Sequence, residues 1–293
     1  MVAIRPIALL LALTLIALSP SSSRAGAPSS QPEDNLANSP DASLFAQSAA
    51  EALDRDFPSR DISFLLLDAC TGRVLASRWD HPDTPIPMGS LFKPFTALAY
   101  GEQHEFQYPA HICRGAATGC WLPRGHGKMN LTSAIAQSCN SYFRMLTSDL
   151  TSTDLAPTAT RFGLNPPPRT AAGAQLAGLG NRWRTSPLGM ARAYVELARD
   201  RDQPAVNQII AGMAESARYG TAAAVHRVLS WSDALAKTGT AACTHGHGSP
   251  GDGFAVLLTP ADHPQLLLLV RVHGVPGSHA AQTAAQMLHR IGE

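Results

Sequence analysis

Ser90-Leu91-Phe92-Lys93 is the stretch on which the reading of this chain turns. Pro85, Pro87 and Gly89 precede it, and an apolar helical pattern follows it to residue 102. Turn residues ahead of such a pattern predict a helix whose first turn holds Ser90. Lys93 then lies one turn on and on the same face. A serine hydroxyl is a weak nucleophile until a neighbouring base takes its proton. Lysine can be that base when burial or a nearby cation lowers its pKa. A helix N-terminus also offers free N–H groups to a developing oxyanion. Taken alone, the spacing fits an exposed lysine on a surface helix equally well.

Outward from this stretch the pattern changes character. Ile62 to Asp68 is an apolar, strand-like run. Cys70-Thr71-Gly72 makes a turn and Arg73 to Ser77 a second strand, so the pair reads as a hairpin. Ala-rich helical patterns occupy 90–102, 132–147, 187–200 and 204–226. Strand patterns return at 234–241, 253–259 and 264–272, before an amphipathic helix over 278–291. Strands at both ends around a helical middle predict an α+β fold: one sheet built from distant segments, with a mostly helical subdomain inserted between them.

Two further clusters carry chemistry. Ser138-Cys139-Asn140 follows the helical stretch from Leu131 and precedes Tyr142-Phe143. A hydroxyl and an amide two residues apart at a helix break can both face one cleft; Ser and Asn are also ordinary helix caps. Lys237-Thr238-Gly239-Thr240-Ala241 opens the closing run of strands. Gly239 removes a side chain from an edge strand, where a ligand backbone can lie by strand addition. Lys237 and the two threonine hydroxyls offer a cation and donors for a carboxylate. The bland alternative is a polar edge strand that resists aggregation.

The three clusters, in this order, resemble the signature of the penicillin-binding protein transpeptidase family, which is related to the serine β-lactamases. The resemblance extends to His126-Gly127-Lys128-Met129-Asn130-Leu131, Ala136-Gln137, Arg161-Phe162-Gly163-Leu164, Thr185 to Tyr194, and Gly220-Thr221-Ala222. It implies a β-lactamase/transpeptidase-like fold, with an antiparallel sheet packed by helices and a cleft between sheet and helical subdomain. By motif match, Ser90 is the acylated nucleophile and Lys93 accepts its proton. Ser138 relays a proton to the leaving amine, tuned by Lys237. Asn140 binds the substrate amide, and Thr238, Gly239 and Thr240 hold the substrate strand and its carboxylate. The Ser90 and Thr240 N–H groups form the oxyanion hole. The implied partners are peptidoglycan stem peptides ending in D-Ala-D-Ala, β-lactams as covalent inhibitors, and other wall-synthesis proteins. No cofactor and no metal are implied.

Departures from the family's relatives narrow the activity. Between Asn140 and Trp183 there is no glutamate, and the only carboxylates are Asp149 and Asp154. A glutamate-driven hydrolysis of the acyl-enzyme, as in one kind of β-lactamase, is therefore not expected. Asn140 argues against the carbamylated-lysine kind. A D,D-transpeptidase or D,D-carboxypeptidase is expected; a β-lactamase, or a non-catalytic sensor of β-lactams or muropeptides, are the alternatives. Asp252-Gly253-Phe254-Ala255-Val256 lacks the aromatic pair and following glycine frequent in the family, so acceptor recognition is expected to differ.

Composition agrees with an exported, uncharged domain. Arg5, the apolar run Ile7–Leu18, and the small residues to Ala25 have the layout of a signal peptide over residues 1–25. Residues 26–44 read as a flexible linker and 45–293 as the catalytic domain, expected to stand alone in the periplasm or cell envelope, or tethered to the membrane if the signal is not cleaved. Formal net charge is +1, which leaves no basic field for nucleic acid. Only three lysines occur: Lys93, Lys128 and Lys237. The five cysteines do not form two CxxC knuckles, which argues against a zinc ribbon. In an oxidising compartment Cys113 and Cys120, flanking a short loop, are expected to pair. Cys70 is expected to be a buried apolar side chain. Cys139 could approach Cys243, and Cys243, His245 and His247 hold metal-donor atoms, though a flexible Gly/His loop accounts for them without a metal.

Overall fold

Strand residues alternate between two apolar clusters, and that alternation defines the architecture. Leu65, Leu67, Phe254, Val256, Leu258, Leu267 and Leu269 belong to one buried cluster. Their neighbours Phe64, Leu66, Ala255, Leu257, Leu268 and Val270 belong to the other. A period of two that buries both faces requires a sheet covered on both sides.

The computed structural model describes residues 40–230, 232–243 and 251–292. In chain order the elements are α1 (Pro40–Asp56), β1 (Ile62–Asp68), β2 (Val74–Arg78), a 3-10 turn (Gly89–Phe92), α2 (Lys93–Gln103), β3 (His111–Cys113), β4 (Gly127–Met129), α3 (Leu131–Ala136), α4 (Asn140–Leu146), α5 (Ser152–Arg161), α6 (Pro187–Arg199), α7 (Pro204–Arg218), α8 (Ala224–Val228), β5 (Leu235–Ala241), β6 (Asp252–Thr259), β7 (Leu266–His273) and α9 (Gly277–Gly292). Five strands form one sheet in the order β2-β1-β7-β6-β5, and every neighbouring pair is antiparallel. Strands β3 and β4 form a separate two-stranded ribbon.

Helices α1 and α9 cover one face of the sheet through Ala49, Leu53, Ala281, Ala284 and Leu288. The small alanines of α9 let its axis lie close to the strands. The other face carries the helical subdomain, with α2 at its centre. Every residue of α2 from Lys93 to Gly101 is buried, as befits a helix apolar all round. The strands and helices agree with the expected α+β arrangement. Two differences are informative. Helix α1 begins at Pro40, inside the stretch expected as linker; proline at the first helical position is pre-organised in φ. The helical pattern over 132–147 is broken into α3 and α4 by Gln137–Cys139, where Ser138 takes a left-handed φ of 48°. The expected signal peptide, and the linker as far as residue 39, lie outside the described residues. Among the described residues no helix is long and apolar enough to cross a membrane.

Strand β5 lies directly against the 3-10 turn. A Cβ on Gly239 would stand 2.4 Å from the Met88 carbonyl oxygen and 3.0 Å from Leu91 Cγ. On Gly89, whose φ is 58°, it would stand 2.2 Å from the Thr240 carbonyl oxygen. Gly239 thus makes room for the protein's own turn, a different reason from the ligand strand expected of it. Gly239→Ala forces two backbones apart and is expected to cost about 2 kcal/mol, typical of overpacking. In a domain of this size that lowers Tm by about 4–8 °C. An unchanged melting curve would mean that turn and strand are not in close contact.

Candidate active site

Ser90 sits in the 3-10 turn, one turn earlier than the helix-start placement expected of it, and α2 begins at Lys93. The turn is held from the core. The Tyr194 hydroxyl donates to the Leu91 carbonyl at 2.8 Å. Phe92 stacks on Trp183 with ring centres 4.2 Å apart. Thr96 Oγ1 donates to the Leu176 carbonyl at 2.7 Å. Ser90 is therefore presented by a rigid support while its own side chain is half-buried.

Opposite Ser90, the break between α3 and α4 delivers Ser138 and Asn140. Asn130 caps α3 by accepting from the Ser133 N–H at 2.9 Å, which fixes where the helix starts. The left-handed Ser138 then turns the chain so that Asn140 starts α4. Lys93 Nζ reaches across and donates to the Ser138 carbonyl at 2.6 Å, to Asn140 Oδ1 at 2.7 Å, and meets Ser138 Oγ at 3.2 Å. Lys237 Nζ, from β5, meets the same Ser138 Oγ at 2.9 Å and the Thr238 carbonyl at 2.9 Å. Both lysines are fully buried. The hydrogen bonds of Lys93 run to Ser138 and Asn140, not to Ser90.

Among the described residues neither buried ammonium has a carboxylate against it, so desolvation dominates. Burial pulls Lys93 down to about 7. Burial, with the neighbouring charge of Lys93, holds Lys237 well below the ordinary lysine value. A hydroxyl between two amines, each with its charged form disfavoured by burial, can pass a proton in either direction.

These groups share a cleft of about 360 Å3 lined by Ser90, Trp121, Ser138, Asn140, Leu179, Gly220, Thr221, Thr238, Gly239, Thr240, Pro276, Gly277 and Ser278. Among the described residues no carboxylate lines it. All eight site residues expected from the sequence converge here, six of them on the cleft wall, with Lys93 and Lys237 buried behind Ser138.

The penicillin binding protein transpeptidase domain family matches residues 62–291. The chain belongs to that family. No curated protein matches it. The transpeptidase domain is similar in fold to Pseudomonas aeruginosa PBP2, crystallised in complex with WCK 5153 (18% identity, TM-score 0.70, covering 85% of this chain and 73% of that one). It is also similar to PBP2 of Helicobacter pylori in a complex with MreC (17%, TM-score 0.73, 84% and 62%). A third similar structure is the transpeptidase domain of Burkholderia pseudomallei penicillin-binding protein 3 (18%, TM-score 0.65, 87% and 93%).

Sequence reasoning missed several wall residues of the transpeptidase domain. Trp121 donates its indole N–H to the Ser138 carbonyl at 3.2 Å and is 51% exposed. A large aromatic in a Gly- and Pro-rich loop was the available signal. Thr221 Oγ1 lies 2.7 Å from Thr238 Oγ1, so a third hydroxyl joins the expected pair. Thr240 Oγ1 accepts from the Gly277 N–H at 3.0 Å, tying β5 to the start of α9.

The cysteine expectations need correction. Cys113 and Cys120 are not disulfide-bonded; both thiols face His126 Nδ1 at 3.5 Å. Cys139 approaches Cys120, at 3.9 Å, and not Cys243. Cys70 is exposed, because Asp68 Oδ1 accepts from the Cys70 and Thr71 N–H groups and turns the hairpin tip outward. Cys243 lies 3.4 Å from His273 Nδ1; His245 and His247 lie outside the described residues.

With three lysines in the chain, 13C-ε-lysine NMR can follow each one. One signal is expected to titrate near pH 7, disappearing in Lys93→Met. In the same variant the Lys237 titration moves upward, because a neighbouring positive charge is gone, yet stays below the ordinary value. If both lysines instead titrate at the ordinary lysine value, the buried hydroxyl-bridged pair is wrong.

Proposed function

We propose that the domain is a serine D,D-transpeptidase acting on peptidoglycan stem peptides ending in D-Ala-D-Ala. The observation that carries this reading is the Ser138 hydroxyl held between two buried lysines across a cleft from Ser90. Ser90 Oγ attacks the carbonyl carbon of the penultimate D-Ala while neutral Lys93 takes its proton. The tetrahedral oxyanion is held by the Ser90 and Thr240 N–H groups. The C–N bond then breaks, and the terminal D-Ala amine leaves with a proton from Ser138, which Lys237 or Lys93 replaces. Asn140 holds the substrate amide. Thr221, Thr238 and Thr240 hold the terminal carboxylate, with Lys237 behind them, and Gly239 lies along the substrate strand. The acyl ester on Ser90 passes to the amine of a second stem peptide, which restores the Ser90 hydroxyl. Water as acceptor would make the same site a D,D-carboxypeptidase.

A β-lactam would enter by the same step, but its leaving amine stays tethered to the acyl group. Release of that adduct needs a base for water. A carboxylate-free cleft wall, with Asp154 committed to capping α5 through Thr151, favours a long-lived adduct over β-lactamase turnover. A sensor would also acylate, without releasing product from any stem peptide. The reading places the domain on the outer side of the cytoplasmic membrane, where stem peptides are.

Fluorescent penicillin is expected to label the protein at one site and stay for many minutes. Ser90→Ala abolishes the label, and Lys93→Ala slows its formation by about 10²–10⁴-fold, the usual loss on removing a general base. Nitrocefin gives one stoichiometric burst; continuous turnover would establish a β-lactamase instead. The labelling rate should also rise with pH through about 7. The sign follows from Lys93: below that value it holds a proton and cannot take another, above it the amine is free. A rate independent of pH between 5.5 and 8.5 would remove Lys93 from the role of base.

A further inference from the structure

Cys113, Cys120, His126 and Cys139 serve no part of the acyl-transfer chemistry, yet their donor atoms converge. All four lie within 4.8 Å of one another. His126 Nδ1 stands 3.5 Å from the sulfurs of both Cys113 and Cys120, and the sulfurs of Cys120 and Cys139 are 3.9 Å apart. The three cysteines are buried, at 2%, 9% and 0% exposure, and His126 is half-buried. Tetrahedral zinc with Zn–S of about 2.3 Å and Zn–N of about 2.0–2.1 Å has edges of about 3.8 Å between sulfurs and about 3.6 Å from sulfur to nitrogen. Three of the six separations, 3.5, 3.5 and 3.9 Å, are close to those edges, and the others lie within 4.8 Å. A Cys113–Cys120 disulfide would draw two sulfurs to about 2.05 Å and leave the third sulfur and the imidazole without a role.

We propose that this Cys3His cluster is a structural zinc site. Four protein donors complete the tetrahedron and leave no open position, which distinguishes it from a catalytic metal. Binding takes Zn2+ from solution and releases the thiol protons as Cys113, Cys120 and Cys139 become thiolates; no electron moves and no oxidant is needed. The spacing explains why the sequence concealed it. The ligands follow a Cys-x6-Cys-x5-His-x12-Cys pattern without a CxxC knuckle. They are assembled by folding: Cys113 ends β3, Cys120 lies in the following loop, His126 immediately precedes β4, and Cys139 occupies the α3–α4 break. Pairing of β3 with β4 places Cys113 opposite Gly127, next to His126.

The consequence for the cleft is positional. Cys139 lies between Ser138 and Asn140, so an ion there pins the left-handed reversal that aims both side chains. Cys120 precedes Trp121, whose indole also reaches the Ser138 carbonyl. One ion therefore ties the loop at the mouth of the cleft to the segment carrying the hydroxyl between the lysines. The cysteines and His126 are positioning residues, and the site stands whether or not Ser90 is acylated.

The test uses the full chain, purified without chelator, and reads metal content by inductively coupled plasma mass spectrometry. One zinc per chain is expected after extensive dialysis. Cys120→Ser and His126→Ala each lower it at least tenfold, whereas Cys243→Ser leaves it unchanged and so excludes Cys243, Asp252 and His273 as the source. Because the variants could misfold, the unsubstituted protein supplies a second measurement. After chelation, Co2+ added to the reduced chain should restore one equivalent of a tetrahedral cobalt–thiolate spectrum. Intact-mass analysis of protein denatured in alkylating agent should show all five thiols modified, the three of the cluster included. Three results overturn the proposal: no zinc with no cobalt spectrum, a chain two hydrogens lighter with a Cys113–Cys120 disulfide, or zinc that persists in both ligand variants. None of these readouts uses penicillin labelling, so a failure here leaves the acylation reading to its own test.

Discussion

Two lysine amines buried against one serine hydroxyl are the interaction on which this site depends. Burying an unpaired charge is costly enough that the group gives up its proton instead. Among the described residues Lys93 and Lys237 have no carboxylate to offset that cost, and the groups they hydrogen-bond are neutral: two backbone carbonyls, the Asn140 amide oxygen and Ser138 itself. The surroundings satisfy the N–H donors without stabilising two full charges. That is how a residue normally charged at neutral pH becomes a usable base. The arrangement requires a rigid frame, because a shift that admitted water would return both amines to their ordinary state. The frame is visible in the buried α2, in Tyr194 and Trp183 beneath the Ser90 turn, and in the double backbone contact between that turn and β5.

Much of the fold was legible because the periodicities are plain. The runs 62–68, 253–259 and 264–272 read as strands, and the structure has strands at Ile62–Asp68, Asp252–Thr259 and Leu266–His273. The helices at 187–199 and 204–218 sit where their apolar spacing put them. The site residues were legible for a different reason. Lysine is rare in this chain, two of its three fall beside serine or threonine in short clusters, and resemblance to a family connected clusters that no local rule joins. The register of the sheet was not legible, since strand order depends on pairing between distant segments.

What the sequence hid falls into two kinds. Some features exist only through close approach: Gly239 reads as an open edge position, and only the fold reveals the Met88 carbonyl against it. Others depend on which of several partners a side chain meets. Five cysteines offer many pairings, and loop proximity favoured Cys113 with Cys120. The ribbon of β3 and β4 and the reversal at Ser138 bring a histidine and a third cysteine to the same point, which spacing alone does not reveal. Thr221 and Trp121 belong here too. Their side chains join the cleft because α7 ends and the β3–β4 loop folds back beside it, both outcomes of tertiary packing.

The sheet topology has a consequence for how the protein comes into being. Strand β1 is sandwiched between its hairpin partner β2 and β7, and Ile62 pairs with Val272. The domain must therefore be made as far as β7 before β1 finds its second neighbour. Closing so long a loop is entropically expensive and slows folding relative to helix pairs that meet locally. Until β7 arrives, the hairpin presents an unpaired, mostly apolar edge of the kind that invites association with other chains. Birth of this domain is thus an all-or-nothing event near the end of its synthesis. A chain interrupted before residue 266 would hold every cleft residue through Thr240 and still lack the sheet that brings them together.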